Sequence, residues 1–339
     1  MHHKVTDTAT ESAALALHNG CQLNCGNVYL QLLLAMQEGL VTEAEIRDAA
    51  KKLMEVRMRL GMFDRQTPWD GLTPREVDQA KHQQLNLQAA QQSLVLLKND
   101  GLLPLKAEQI ATIAVIGPNA DSQEALNGNY HGTANRYVTV LEGIREAMPA
   151  AEVLYTKGCH LYRDELESPG YYGDCYSEAV AMARRANVVV LCVGMDENIE
   201  GEEMPNNGSY PGIKGDKADL LLPRIQRDLL RRVMDTGTPC VVVNMTGSAI
   251  DLQNAASKAN AIIQAWYPGA KGGEAIAQLL LGRFNPSGRL PVTFYHNEDP
   301  LPDFTDYGMA GRTYRYLKAE PLYPFGYGLS YTRFYFAGV

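Results

Sequence analysis

The run Asn187-Val-Val-Val-Leu-Cys-Val-Gly194 decides how this chain is read. Every position from Val188 to Val193 is apolar and most are β-branched, the pattern of a strand covered on both faces. Working outward, Ala111-Thr-Ile-Ala-Val-Ile116, Glu152–Tyr155, Pro239-Cys-Val-Val-Val-Asn244 and Ala261-Ile-Ile-Gln-Ala-Trp266 read as further strands. Apolar residues at helical spacing place helices over Leu141–Met148, Tyr176–Ala186, Leu222–Thr236 and Glu274–Leu281. Strands alternating with helices of this length predict an α/β fold built on a mostly parallel, doubly wound sheet, an α/β sandwich. Ligands on such sheets sit beyond the carboxyl ends of the strands. The loops after Ile116, Val193, Asn244 and Trp266 are therefore the candidate site.

The preceding residues follow a different pattern. Residues 6–20 read as one helix, capped by Thr6 or Asp7. Cys21–Gly26 suits a short buried strand or an irregular turn, and a second helix covers Val28–Gln37. Thr42 with Glu45 forms a capping box that opens a third helix running to about Leu60. Helix, short strand, helix suits the closing units of an α/β barrel, and equally part of a helical bundle. Residues 62–80 are rich in Pro, Gly and Asp and read as a linker. A helix over Arg75–Ser93 follows, then a strand, an Asn-Asp-Gly turn and a second apolar run in Leu94–Leu105. The tail, residues 296–339, is aromatic and turn-rich, and its rings read as packing more than binding.

Composition excludes several classes. With 339 residues, 45% hydrophobic and 21% charged, the chain is globular and long enough for about two domains. A net charge of −8 gives no basic face for nucleic acid or for an anionic membrane surface. No apolar run reaches the roughly 20 residues of a membrane span. Six cysteines are too sparse for a disulfide scaffold. Cys21 and Cys25 have no second pair at zinc-ligand spacing and the histidines are scattered, so no metal is expected. No glycine fingerprint for dinucleotides, no phosphate-binding loop and no serine nucleophile elbow occurs, and no organic cofactor is expected. The run Gly269-Ala-Lys-Gly-Gly273 reads as a tight strand-to-helix turn, with an anion site as the alternative.

The densest chemistry lies in Gly194-Met-Asp-Glu-Asn-Ile-Glu-Gly-Glu-Glu203. A solvated acidic loop is one reading. The other is a proton donor, because a partly shielded carboxyl group at the end of a central strand can be tuned for that task. A pair of carboxylates flanking a bond is what glycoside hydrolysis requires. The loop Asn127-Gly-Asn-Tyr-His-Gly-Thr133 mixes amide, ring and imidazole groups suited to a sugar, with Asn129, Tyr130 and His131 as the candidate contacts; an ordinary surface loop is the alternative. Tyr171-Tyr172 invites the same two readings.

Four separated motifs then carry a resemblance, in order: Ser93–Leu105 (SLVLLKNDGLLPL), Ile113–Asp121 (IAVIGPNAD), Trp266–Phe294 (WYPGAKGGEAIAQLLLGRFNPSGRLPVTF) and Tyr314–Phe334 (YRYLKAEPLYPFGYGLSYTRF). Together they resemble glycoside hydrolase family 3, the β-glucosidases and β-xylosidases. Gly128–Ile144 and Ala13–Gly26 look most like the β-xylosidase subgroup. The resemblance implies a retaining exo-acting β-glycosidase that hydrolyses terminal β-linked xylose or glucose, with a small oligosaccharide as its partner and no cofactor. It implies the last helical units of an incomplete (β/α)8 barrel over residues 1–62, a linker and helix over 63–92, the sandwich over 93–295 and an extended aromatic tail over 296–339. Matched to the family's acid/base segment, Ile199-Glu-Gly-Glu202 places the proton donor at Glu200, with Glu202 and Glu203 as neighbouring alternatives. The family nucleophile is an aspartate in a Ser-Asp motif on the barrel, and no Ser-Asp pair occurs in this sequence. A chain read this way lacks its nucleophile and is inactive by itself. A non-catalytic carbohydrate-binding or structural module is the second reading. Exposed barrel helices predict self-association, and the family resemblance implies a periplasmic or extracellular compartment.

Overall fold

The computed structural model describes residues 5–163, 176–197, 199–200, 219–252, 257–299, 302–303 and 305–333. The chain divides into two compact units, one formed by residues up to Glu76 with the segment at 303–307, the other by the remainder.

The larger unit is a six-stranded sheet. Its strands are β1 (Val95–Asn99), β2 (Thr112–Ile116), β3 (Glu152–Thr156), β4 (Val188–Gly194), β5 (Cys240–Met245) and β6 (Ala261–Gln264), in spatial order β1-β6-β5-β4-β2-β3. β2 through β6 run parallel, while β1 pairs antiparallel with β6 from Val95↔Gln264 to Asn99↔Ala261. All residues of β4, β5 and β6 are buried, which is why their sequences show no polar alternation.

Side chains alternate between two cores. Val188, Val190 and Cys192 join Val241 and Val243 on one face, under helices α4 (Ala80–Ser93), α5 (Val140–Ala147) and α8 (Gly272–Leu280). Val189, Leu191 and Val193 join Val242 on the other, under α6 (Tyr176–Arg185) and α7 (Arg224–Met234). The helix after β2 covers one face and those after β3 and β4 the other, so the connection reverses at β2. This is a doubly wound arrangement whose switch point lies between β2 and β4.

Several expected boundaries move. β6 ends at Gln264 rather than Trp266, because Trp266 takes a left-handed backbone with φ of 58° that no strand continues. The helix expected from Arg75 begins at Ala80; residues 74–76 form only a 3-10 turn. The tail behaves partly as expected. Leu329 donates its amide to Leu96 at 2.8 Å and covers the outer edge of β1. Tyr327 bonds the Leu97 carbonyl at 3.1 Å and Tyr331 that of Leu279 at 2.7 Å. Tyr314 and Phe325 instead stack on each other while remaining exposed.

The smaller unit holds α1 (Ala9–His18), α2 (Leu32–Gln37) and α3 (Glu43–Arg59) around a small core of Ala14, Leu17, Ala35, Val41 and Ala49. α3 begins at the expected Thr42–Glu45 box. α1 is capped by Thr8 with Glu11, not by Thr6 or Asp7, because only Thr8 stands three residues before a glutamate that can reach back. The helix expected from Val28 opens with a 3-10 turn over Val28–Gln31, and Cys21–Gly26 is an irregular segment with both cysteines exposed.

Candidate active site

Two glycines bring the ends of β2, β4 and β5 together. A methyl group on Gly117 would stand 1.9 Å from the Cys192 carbonyl oxygen, and one on Gly194 would stand 1.9 Å from that of Met245. Their φ angles of 123° and 152° also lie where side chains rarely go. Buried side-chain amides satisfy the backbone at these strand ends. Gln226 of α7 accepts from the Gly194 amide at 2.9 Å and donates to the carbonyls of Gly194 and Leu161 at 2.7 and 2.6 Å. Asn119, beyond β2, donates to the Met195 carbonyl at 3.0 Å.

From this fixed end the chain makes one turn. The amides of Ile199 and Glu200 both reach the Asp196 carbonyl, at 3.2 and 3.1 Å, and Ile199 is buried beneath. Glu200 is thereby placed, half-buried, over the ends of β5 and β6. Its Oε1 accepts from the Ser248 hydroxyl at 2.6 Å. Its Oε2 accepts from the Gly247 amide at 3.3 Å and from the Tyr267 hydroxyl. Burial, then the neighbouring Glu200 carboxylate, pushes the Tyr267 phenol far above the ordinary tyrosine range.

The partners of Glu200 are themselves held. Asn244 and Gln264, the last or next-to-last residues of β5 and β6, bond each other at 2.7 Å inside the sheet. Gln264 also donates to the Thr246 carbonyl at 3.0 Å, and the Thr246 hydroxyl donates to the Ser248 carbonyl at 2.8 Å. On the other side, the left-handed Trp266 turns Tyr267 off the strand. Its indole N–H donates to the Ser93 carbonyl at 3.1 Å and its ring meets Phe294 edge-on. Such a backbone in a bulky residue costs on the order of 1–3 kcal/mol and tends to occur at functional sites. The Tyr267 ring lies against Gly128 and Gly247, where added methyls would stand 3.1 and 2.8 Å from it.

The expected sugar-contact loop reaches the same place from β2. His131 Nε2 lies 3.2 Å from Glu197, three residues before Glu200. Asn129 is exposed beside it, and Tyr130, with φ of 62°, is 98% exposed. All four strand-end loops chosen from the sequence thus contribute residues here. Glu202, Glu203, Tyr171 and Tyr172 lie outside the described residues. Sequence reasoning missed Ser248 and Tyr267, although polar Asn244 and Gln264 at the ends of otherwise apolar strands marked the place. The glycine run 269–273 serves packing: a methyl on Gly273 would stand 1.9 Å from the Thr139 carbonyl oxygen of the facing α5 end. Among the described residues no three His, Cys, Asp or Glu side chains converge where a metal would sit. What the site offers chemically is a carboxyl group in a cradle of hydrogen-bond donors, one amide and two hydroxyls, beside an exposed aromatic and polar loop.

A profile described as the glycosyl hydrolase family 3 C-terminal domain matches residues 94–331. Beta-D-xylosidase 1 of Arabidopsis thaliana is 39% identical over 344 residues, covering 97% of this chain and 42% of that protein. The periplasmic beta-glucosidase of Salmonella typhimurium is 34% identical, covering 98% of this chain and 46% of its own length. A solved GH3 exo-beta-xylosidase, in complex with a xylobiose aziridine activity based probe, superimposes with a TM-score of 0.80 at 29% identity, over 98% of this chain and 42% of that one. The chain therefore spans less than half the length of each.

Proposed function

Because the chain belongs to glycosyl hydrolase family 3, we propose that it serves a retaining, exo-acting β-glycosidase that removes terminal β-linked xylose, or glucose, from oligosaccharides of plant polysaccharides. Glu200 is the acid/base in this reading. The observation that carries it is the position of Glu200 over the carboxyl ends of β5 and β6, held by Ser248, Gly247 and Tyr267.

In such a reaction two carboxyl groups about 5–5.5 Å apart flank the bond. Glu200 protonates the departing oxygen while the second carboxylate attacks the anomeric carbon. It then takes a proton from the water that releases the sugar. The nucleophile is supplied from outside these 339 residues, with residues 1–62 belonging to the end of the barrel that carries it. Asn129 offers hydrogen bonds to sugar hydroxyls and the exposed Tyr130 ring a face for stacking, while His131, whose two ring nitrogens face Glu197 and the Gly132 carbonyl, lines the same loop. Relatives named for xylosidase and glucosidase activity support both sugars, and the periplasmic relative supports a compartment outside the cytoplasm. Among the described residues no helix is long and apolar enough to cross a membrane.

The test is turnover of aryl β-xylosides and aryl β-glucosides. With the nucleophile-bearing segment of a relative supplied, Glu200→Gln should slow poor leaving groups far more than good ones. Equal loss for every leaving group would remove Glu200 from the acid role. Turnover by the 339-residue chain alone would place a nucleophile within it. A non-catalytic sugar-binding module is the second reading, favoured by the lack of a Ser-Asp pair in the sequence. Binding of xylo-oligosaccharides without turnover, even with the missing segment supplied, would establish it.

A further inference from the structure

We infer that Tyr267 is the positioning residue of Glu200: with the Gly247 amide it fixes Oε2 as a permanent acceptor and leaves Oε1, against the Ser248 hydroxyl, as the oxygen that carries the transferable proton. The inference rests on the reading of Glu200 as the proton donor and goes beyond it in assigning each oxygen a task.

The two oxygens of Glu200 differ in the partners they meet. An amide N–H can only donate, so the 3.3 Å contact from Gly247 requires a lone pair on Oε2 whatever the protonation state of Glu200. The Tyr267 hydroxyl meets the same oxygen. Its phenol, pushed up by burial and by the carboxylate, stays protonated across the working range of pH and keeps donating. Oε1 has a different partner. The Ser248 hydroxyl at 2.6 Å can donate to a carboxylate and can equally accept from a carboxylic acid. On this side the proton can reside with both donors to Oε2 left in place.

The geometry behind each partner supports the division of labour. Tyr267 is clamped between Gly128 and Gly247 and launched by the left-handed Trp266. Ser248 is held through its carbonyl by Thr246, and its hydroxyl hydrogen turns about a single C–O bond. In the first half-reaction the proton leaves Oε1 for the departing oxygen as that oxygen takes the electron pair of the breaking C–O bond. Glu200 is left as a carboxylate with its three donors in place. In the second half a water proton returns to Oε1 while the water oxygen forms the new bond to the anomeric carbon and the bond from that carbon to the nucleophilic carboxylate breaks, its electron pair returning to the carboxylate.

The test needs no turnover. The chain is prepared with glutamate carrying carbon-13 at the side-chain carboxyl, and the Glu200 signal is identified by its loss in Glu200→Gln. Tyr267→Phe keeps the ring and removes one charge-directed donor, so the Glu200 signal should titrate about one pH unit higher than in the unaltered chain. Ser248→Ala should move it by less than half as much, because that hydroxyl serves both protonation states. Placing 3-fluorotyrosine at residue 267 strengthens the donor and should move the titration down, which keeps the test open if the phenylalanine variant does not fold. Superimposable titrations of Tyr267→Phe and the unaltered chain would overturn the inference, as would an upward shift in Ser248→Ala as large as that in Tyr267→Phe. The leaving-group behaviour of Glu200→Gln tests the acid role separately, so the two failures are distinguishable.

Discussion

Nε2 of His131 stands 3.2 Å from Oε2 of Glu197, while Nδ1 of the same ring stands 2.9 Å from the Gly132 carbonyl oxygen. Both partners are acceptors, an arrangement that favours the protonated ring. The bond to Gly132, and then the Glu197 carboxylate, hold the His131 pKa above the ordinary histidine value. The pair ties the loop after β2 to the loop that carries Glu200.

A group whose folded pKa is raised adds stability that is complete below its unfolded value, about 6.5, and is lost as pH rises through the folded value. The tie between the loops therefore loosens as pH rises through the raised folded value, and by a modest amount, since both side chains are partly exposed and screened. Proton NMR of the His131 ring should show a midpoint above that of free histidine. Glu197→Gln should lower it without bringing it fully back, because the Gly132 contact remains. An unchanged midpoint in Glu197→Gln would show that the carboxylate does not hold the ring.

Glycine at 273 and 143 is a packing requirement between α5 and α8. An added methyl would stand 1.9 Å from the Thr139 carbonyl oxygen at the first position and 2.2 Å from that of Gly273 at the second. These are backbone atoms and cannot rotate aside. Gly273→Ala should cost about 1–3 kcal/mol or more and lower Tm by several degrees. Gly71→Ala, which meets open space, should change stability by less than about 0.5 kcal/mol. Equal melting temperatures for the two variants would show that the helices have room to separate.

Which parts of this molecule were legible in its sequence depends on how local their physics is. The strand Val188–Val193 announced itself because burial on both faces leaves no polar position. The Thr42–Glu45 cap did so because it is closed within four residues. Glu200 is singled out in the sequence by its place after the central strand and by family resemblance. Ser248 and Tyr267 were not reached, since their meeting with Glu200 depends on strand order β6-β5-β4, which pairs residues 48 and 67 positions apart. Trp266 was read as strand because nothing in its neighbours signals a positive φ. The start of α1 lies one or two residues beyond the expected Thr6 or Asp7 for a similar reason: Thr6, Asp7 and Thr8 are all good caps, and only the reach of Glu11 chooses among them.

The amide pair under the site should be unusually sensitive. Gln264 donates to Thr246 and accepts from Asn244, all three buried. Gln264→Met preserves volume but removes the partners, at about 1–3 kcal/mol for each polar group left unpaired. Because both residues belong to one network, Asn244→Leu combined with Gln264→Met should cost less than the sum of the two. Urea unfolding of the four chains measures this directly. Strict additivity would mean that the two amides act independently.

The smaller unit exposes apolar side chains that its own core does not use. Leu30, Leu33, Met58, Leu60 and Phe63 are 75%, 68%, 63%, 67% and 60% exposed, against a core of few residues. Monomeric soluble proteins rarely leave extensive apolar surface uncovered. The 339-residue chain should therefore self-associate in solution, with a mass by light scattering that rises with concentration. Leu33→Glu with Met58→Glu should lower that mass at a given concentration and leave the sheet's melting transition in place, since both lie outside the sheet unit. A monomer at all concentrations would show that these side chains are satisfied within one chain.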